Sequence, residues 1–557
     1  MKVISTATTI GQAFKNAGRV TEILGVFVRH GFADLLQRMK LSRFLSGKDA
    51  ENPRFQELPV EKRLRLSFEQ LGPTFVKLGQ LLATRPDLLP ESFVEEFQKL
   101  QDNVSATPFP ELKSFIETEL RTSIDSVFSE FEMEPMAAAS IAQVHGAVLK
   151  TGQQVAVKVQ RPGIERIIQN DVSILRGLAL LLEKYIPESR PFNPTGLVEE
   201  FFKTILWELD FRVEANNIRK IRSNLADLSR IAIPEVYAEA STARVLVLER
   251  FVGIRFSDRD AIIRAGINPS DIVEVGSDAF FHMVMRDGLF HGDLHPGNLF
   301  ILPDGRIGII DFGIVGRLSR RVQDSIISMF IALIDEDYET LAVEYGALCQ
   351  GDTDINQLQK DLMDTISPYV GMSLGEVNVG QLLLRSTSIA VRHNLKVPRE
   401  MMLLFKAMVT IEALGKKLDP GFDLMQVGTR LARQVLTTRY GKERLTHDIM
   451  VIGRDLQALA ETTPRLLRRA TRKWAQNEFA IETRSKDTRA IANAIRGFSY
   501  VVLVSTLAVG CFGVGIACLI YGLGPTFLGL PLWPVLALGA AVTILIRNAW
   551  RLRKRLK

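Results

Sequence analysis

The stretch His291-Gly292-Asp293-Leu294-His295-Pro296-Gly297-Asn298, followed by Asp311-Phe312-Gly313, decides how this 557-residue chain is read. Asp293 and Asn298 stand five positions apart around a Pro-Gly bend, so a loop carries them. Residues 299–301 and 306–310, joined across Pro303-Asp304-Gly305, have the make-up of a hairpin that carries Asp311 back to that loop. The carboxylate of Asp311 and the amide oxygen of Asn298 are hard ligands, of the kind a phosphate-bridging divalent cation takes. His291 and His295 invite a metal reading with Asp293. A zinc site wants several soft or imidazole ligands, however, and Pro296-Gly297 bends the chain away. Both histidines are therefore expected to orient the loop.

Upstream, residues 131–135, 143–149 and 154–160 read as strands, with a turn at Thr151-Gly152. The third of them holds Val155-Ala156-Val157-Lys158. A strand lysine, a loop Asp with Asn five positions later, and then Asp-Phe-Gly are parts with which the protein-kinase fold holds phosphates and metal ions. Lys158 then organises the phosphates, Asn298 and Asp311 hold Mg²⁺, and Asp293 positions or deprotonates the nucleophile. Residues 60–105, 161–224 and 319–474 read as helical, so a small sheet-bearing lobe and a helical lobe are expected.

Two features depart from an ordinary kinase. The loop that should cover the phosphates, residues 136–141, contains no glycine, so it is stiffer and holds phosphates differently. Residues 314–319 run almost directly into a helix near Arg320, which leaves no room for an activation segment and its peptide platform. Protein substrates are correspondingly disfavoured.

At these residues the chain resembles the UbiB/ADCK family of atypical protein-kinase-like proteins. The elements that carry the likeness are Lys77-Leu78-Gly79-Gln80, Ala137-Ala138-Ala139-Ser140, Glu208-Leu209-Asp210 with Glu214, the 291–298 loop and Asp311-Phe312-Gly313. The match covers roughly residues 60–480. The resemblance implies ATP-dependent support of ubiquinone or related prenylquinone biosynthesis. It further implies that the Lys77–Gln80 helix folds across the active site, with Glu208 and Asp210 as carboxylate partners for Lys77. Taken alone, Lys77 reads as a surface lysine. Glu214, in Glu214-Ala215-Asn216-Asn217, fits the family's partner for Lys158, while Glu165 is nearer in sequence and also eligible. Phe251-Val252-Gly253 resembles the hinge beside the adenine, with Glu249 and Phe251 offering backbone hydrogen bonds.

The remaining signals concern the membrane. Residues 497–546 contain no charge, enough for two helices of roughly 20 residues and a turn. The crossings are expected near 498–521 and 530–546, with Gly522, Gly524 and Pro525 between them. Arg496 precedes the pair and six basic residues from Arg547 to Lys557 follow it, so both ends face the cytoplasm. The basic run Arg465, Arg468, Arg469, Arg472 and Lys473 suits an anionic surface or a solvated helix face. The net charge of +6 and this pattern do not favour nucleic acid. Residues 1–30 lack the make-up of a secretory signal and read as an amphipathic helix that lies on a membrane or packs on the protein. The three cysteines lack metal-ligand spacing or a disulfide framework.

The expected architecture is α+β: a protein-kinase-like two-lobe fold with an N-terminal helical extension and a C-terminal two-helix transmembrane hairpin. Its parts are the extension with the Lys77–Gln80 motif (1–125), a small lobe with a helical insert (126–255), a helical large lobe (256–480), and a juxtamembrane linker with two membrane helices (481–557). The expected cofactors are ATP (or ADP) and Mg²⁺. The expected partners are membrane lipid, an isoprenoid quinone precursor and other quinone-biosynthesis proteins, at a bacterial inner membrane. Three activities remain open: an ATPase or small-molecule kinase, a nucleotide-gated scaffold, and a conventional protein kinase.

Overall fold

The computed structural model describes residues 17–41, 55, 57–83, 85, 89–100, 105–369 and 379–439, and, near the C-terminus, 506, 509, 510, 525–527, 530, 531, 535–537 and 539. The chain divides into two compact units, Met1–Arg444 and Leu445–Lys557.

The first unit opens with α1 (Ala17–Arg29), which buries Val20, Ile23 and Leu24. Between the two expectations for this segment, it packs on the protein. Its Arg19 grips buried Asp171 through Nε and Nη2, at 2.8 and 3.0 Å. The stretch expected as continuous helix over 60–105 is three helices: α2 (Val60–Leu71), α3 (Pro73–Ala83) and α4 (Glu91–Gln98). Gly72, at φ +95°, and the following Pro73 make the first break, since a helix cannot run through that pair. After α5 (Phe109–Leu120) the sheet begins.

Five strands build that sheet: β1 (Phe128–Phe131), β2 (Ala137–Ala138), β3 (Ala142–Leu149), β4 (Gln154–Gln160) and β6 (Val245–Glu249), in the order β1-β3-β4-β6 with β2 paired to β3. The first strand precedes the position expected from sequence; residues 132–136 form the connection into β2 instead. Alternation along β4 places its side chains. Val155, Val157 and Val159 are fully buried against Leu112, Ile116 and Phe128, each contributing roughly 1.5 kcal/mol or more. Lys158 therefore points to the opposite face.

Three helices follow β4: α6 (Ile164–Tyr185), α7 (Pro194–Glu208) and α8 (Phe211–Asn224). A second sheet, ordered β5-β10-β9-β7, contains β5 (Ile231–Ala232), β7 (Ile254–Arg255), β9 (Leu299–Ile301) and β10 (Ile307–Ile309). The β9–β10 hairpin is the one expected, turned by Gly305 at φ +81°. Before it comes α9 (Pro269–Phe281), and β8 (Leu289–His291) pairs with β11 (Val315–Arg317), so His291 lies opposite Val315.

Ser319 caps the helix that begins at once after β11, α10 (Arg320–Ile334). The rest of the unit is α11 (Tyr338–Leu348), α12 (Ile355–Ile366), α13 (Val379–Arg392), α14 (Arg399–Leu418) and α15 (Leu424–Arg439). The short run from Asp311 to α10 is thus as the sequence predicts.

In the second unit, β12 (Thr526–Phe527) pairs antiparallel with β13 (Leu530–Pro531). Pro531, the last residue of that pair, lacks the N–H a helix interior needs. Among the described residues no helix is long and apolar enough to cross a membrane. The expected crossings lie largely outside the described residues, as does the basic run 465–473.

Candidate active site

Lys158 of β4 places its Nζ 2.9 Å from both carboxylate oxygens of Glu214 on α8. It also stands 3.5 Å from Asp311 Oδ1. Burial opposes the charge on Lys158, but Asp311 and Glu214 outweigh it and hold its pKa above the ordinary lysine value. The same ammonium draws the Asp311 carboxyl down to about 2, against the effect of burial. Glu165 is elsewhere, 2.7 Å from the Arg244 guanidinium. Of the two eligible glutamates, the fold brings Glu214 to Lys158.

Asp311 adopts φ +60°, a left-handed conformation that a non-glycine residue rarely takes and that marks a site held by its surroundings. Those surroundings are visible. The Gly313 N–H donates to Asp311 Oδ1 at 3.3 Å, and the Phe312 carbonyl accepts from Asn217 Nδ2 at 3.2 Å. Asn217 sits one helical turn after Glu214, so α8 holds both Lys158 and the Asp-Phe-Gly motif.

The 291–298 loop is tied internally. The Asp293 N–H donates to His291 Nδ1 at 3.1 Å, which leaves His291 Nε2–H to donate to the Ile310 carbonyl at 3.1 Å. Burial pushes the His291 pKa down, in keeping with a neutral ring. His295 Nδ1 accepts from the Gly297 N–H at 3.1 Å. His295 binds its own loop and His291 ties that loop to Ile310; among the described residues no group of three or more His, Cys, Asp or Glu side chains is arranged to hold a metal ion. Asn298 donates through Nδ2 to the Asp293 carbonyl at 3.1 Å, which leaves its Oδ1 as the amide oxygen open to a cation.

The alanine-rich segment forms β2 and a tight bend, with Ala139 N–H donating to the Ala142 carbonyl at 2.8 Å. Arg161, three residues beyond Lys158, fastens it: Nε reaches the Ala139 carbonyl and the backbone N–H reaches Ile141, both at 2.9 Å. Ser140 is fully buried and its Oγ has no hydrogen-bond partner, an orphan polar atom in the segment that would cover phosphates. At the hinge, the Glu249 N–H is taken by the Glu235 carbonyl at 2.9 Å. The backbone group that Glu249 can offer at the hinge is then its carbonyl, with Phe251 two residues further on. Gly253 passes so close to the Ile301 carbonyl that a Cβ would lie 2.2 Å from its oxygen.

On α3, Lys77 ion-pairs with Glu208 at 3.3 Å, both side chains being largely buried. Its charge is felt at Asp311 and Lys158, which places the α3 lysine within the field of the site. Gln80 donates to the Leu100 carbonyl at 3.3 Å. Asp210, expected beside Lys77 as well, is engaged otherwise: it caps α8 and pairs with Arg212 at 2.7 Å. A carboxylate in the first position before a helix is drawn to the free N–H groups of that helix, which accounts for the difference.

Residues 99–345 match the ABC1 atypical kinase-like domain, and residues 362–423 match the UbiB helical domain. "Probable protein kinase UbiB" of Marinobacter nauticus is 33% identical over 505 residues, spanning 87% of this chain and 90% of that protein. This chain belongs to the UbiB family of ABC1 atypical kinase-like proteins. The solved complex of Rv3197 with erythromycin from Mycobacterium tuberculosis is similar at 25% identity and TM-score 0.40, covering 62% of this chain and 91% of that one. The kinase-like domain makes the chain a phosphotransferase-fold protein and implies a nucleotide with a divalent metal.

Two residues of this UbiB-family site escaped the sequence reading. Arg161 had a signal, its place directly after the strand of Lys158. Lys406 had none. It comes from α14, within the UbiB helical domain, and its Nζ lies 2.9 Å from Asp293 Oδ1 across 113 residues of sequence.

Proposed function

We propose that this protein is a membrane-bound, Mg²⁺-dependent ATPase or small-molecule kinase that supports ubiquinone or prenylquinone biosynthesis by acting on, or presenting, a lipid precursor. The observation that carries this reading is the convergence of Lys158, Glu214, Asp311 and Asn298 beside Asp293, with α3 lying within the same electrostatic field. The donor set fits a hard cation: a carboxylate and an amide oxygen on fixed backbone, to which phosphate oxygens and water would add the other ligands. A bound Mg²⁺ supplies charge neutralisation between the phosphates.

The chain's own residues do the rest. Lys158, held by Glu214, meets the α- and β-phosphates. The Ala137-Ala138-Ala139 backbone with Ser140 would cover the phosphates, and the backbone of Glu249 and Phe251 would meet the adenine. Asp293 orients a water molecule or the hydroxyl of a small acceptor. The nucleophile's oxygen attacks the γ-phosphorus, the bond to the β-phosphate's bridging oxygen breaks, and that oxygen keeps the electron pair as ADP departs. The nucleophile's proton passes to Asp293 and then to solvent.

Membrane attachment rests on the uncharged span 497–546 with its basic flanks, and on three exposed apolar side chains of the second unit, Val509, Val535 and Leu536. The basic flanks support a cytoplasm-facing body at a bacterial inner membrane. Quinone-biosynthesis enzymes are the natural partners there. The Lys77–Glu208 pair and the short run from Asp311 to α10 speak against a peptide acceptor.

The test is phosphate release from Mg·ATP by the full chain in vesicles, with and without anionic lipid and a quinone-precursor analogue. Release that rises with either supports the proposal. No Mg²⁺-dependent release under any of these conditions overturns it.

A further inference from the structure

We infer that Lys406 is a positioning residue for Asp293, so that the UbiB helical domain completes an active site which the kinase-like domain leaves unfinished. The inference rests on the catalytic reading above and adds a residue from outside the kinase-like domain.

Every backbone polar group of Asp293 is fixed by its own loop. The N–H donates to His291 Nδ1, and the carbonyl accepts from Asn298 Nδ2 at 3.1 Å and from the His295 N–H at 2.9 Å. The carboxylate is different. Its hydrogen-bonding partner among the described residues is Lys406 Nζ, at 2.9 Å. The loop therefore fixes where Asp293 sits, while α14 fixes where its oxygens point.

The same helix holds the loop at a second place. Leu403, one turn before Lys406, packs on Gly292 so closely that a Cβ there would lie 2.6 Å from Leu403 Cδ2 and 3.0 Å from Ile314 Cγ2. Ile314 directly follows the Asp-Phe-Gly motif. One further turn back, Arg399 donates to Thr204 Oγ1 at 2.7 Å, on the helix whose Glu208 pairs with Lys77. Arg399, Leu403 and Lys406 share one helix face by their spacing. That face thus touches α7, the residue before Asp293 and Asp293 itself. An ion pair with both members this exposed contributes little to stability, so its place at the nucleophile-facing carboxylate is the more informative property.

The test uses the full chain and the turnover assay above. Lys406→Met is expected to lower kcat by about ten- to a hundredfold, the cost of a misplaced catalytic group. The KM for Mg·ATP, the nucleotide Kd and the Tm should stay near wild type, and Lys406→Arg should restore part of the rate. In an Asp293→Asn background Lys406→Met should cost nothing further, because it acts through Asp293. An unchanged or raised kcat overturns the inference, a raised one making the contact inhibitory. An additive loss in the Asp293→Asn background, or a loss tracking Tm, overturns it equally. If wild-type protein shows no turnover, the catalytic reading fails and this inference fails with it; if wild type turns over and Lys406→Met matches it, this inference alone fails.

Discussion

Lys158 and Glu214, 56 residues apart in sequence, meet with the lysine Nζ 2.9 Å from both glutamate oxygens. Glu214 is buried, so the pair is the support on which the phosphate-facing end of Lys158 depends. Glu214→Gln leaves an ammonium with half its compensation. It should destabilise the protein by about 3 kcal/mol and weaken nucleotide binding at the same time. Denaturant melts and nucleotide titrations of the same variant check this; weakened binding with unaltered stability would show that the pair is not buried as described.

The Lys77–Glu208 pair makes a second prediction. Lys77→Met leaves a largely buried carboxylate without its ammonium, and should cost about 1–3 kcal/mol. Lys77→Met with Glu208→Leu removes both charges and should recover much of that loss. The double-mutant cycle in chemical denaturation measures it. Two additive losses would mean that the residues do not interact.

Packing of α14 on the catalytic loop can be probed at Gly292. Gly292→Ala places a methyl 2.6 Å from Leu403 Cδ2, and should cost about 1–3 kcal/mol through overpacking. Leu403→Ala in the same chain makes room and should restore stability and turnover together. A Gly292→Ala protein with wild-type melting behaviour would contradict the contact.

Burial lowers the pKa of His145, His282 and His291 below the ordinary 6.5. In the unfolded chain each takes up a proton once the pH falls through that value, whereas the folded chain resists. The associated stability is complete above pH 6.5 and is lost as the pH falls, by up to about 1.4 kcal/mol per pH unit for each histidine. Melting temperatures followed downward from pH 7.5 should decline progressively, and His145→Gln should flatten the decline. A flat profile for the wild type would contradict the buried, neutral assignment.

The kinase-like core was legible because its signals are local. The spacing of Asp293 and Asn298, the hairpin turned by Gly305 and the alternation of Val155, Val157 and Val159 around Lys158 all lie within short windows. Glu214 was reachable through its motif, and Lys77–Glu208 through the resemblance. Asp210 was misplaced because its nearest attraction is the helix it begins, which a pairing argument ignores. The expected strand at 131–135 lies instead at Phe128–Phe131: Phe131-Glu132-Met133-Glu134 alternates as a strand does, but Met133 is exposed and Pro135 lacks the N–H a ladder needs. Lys406 was not legible at all. A lysine on an amphipathic helix reads as solvated, and only tertiary packing brings α14 to Asp293.

The central claim is that Asp293 takes part in phosphoryl transfer, and Asp293→Asn tests it most directly. The measurement is Mg²⁺-dependent phosphate release from ATP by the vesicle-reconstituted full chain, alongside nucleotide affinity and the quinone output of cells that rely on the variant. The account predicts release reduced by about 10²-fold or more with nucleotide still bound, and lost quinone output. Undiminished quinone output from Asp293→Asn would contradict it and make the protein a nucleotide-gated scaffold.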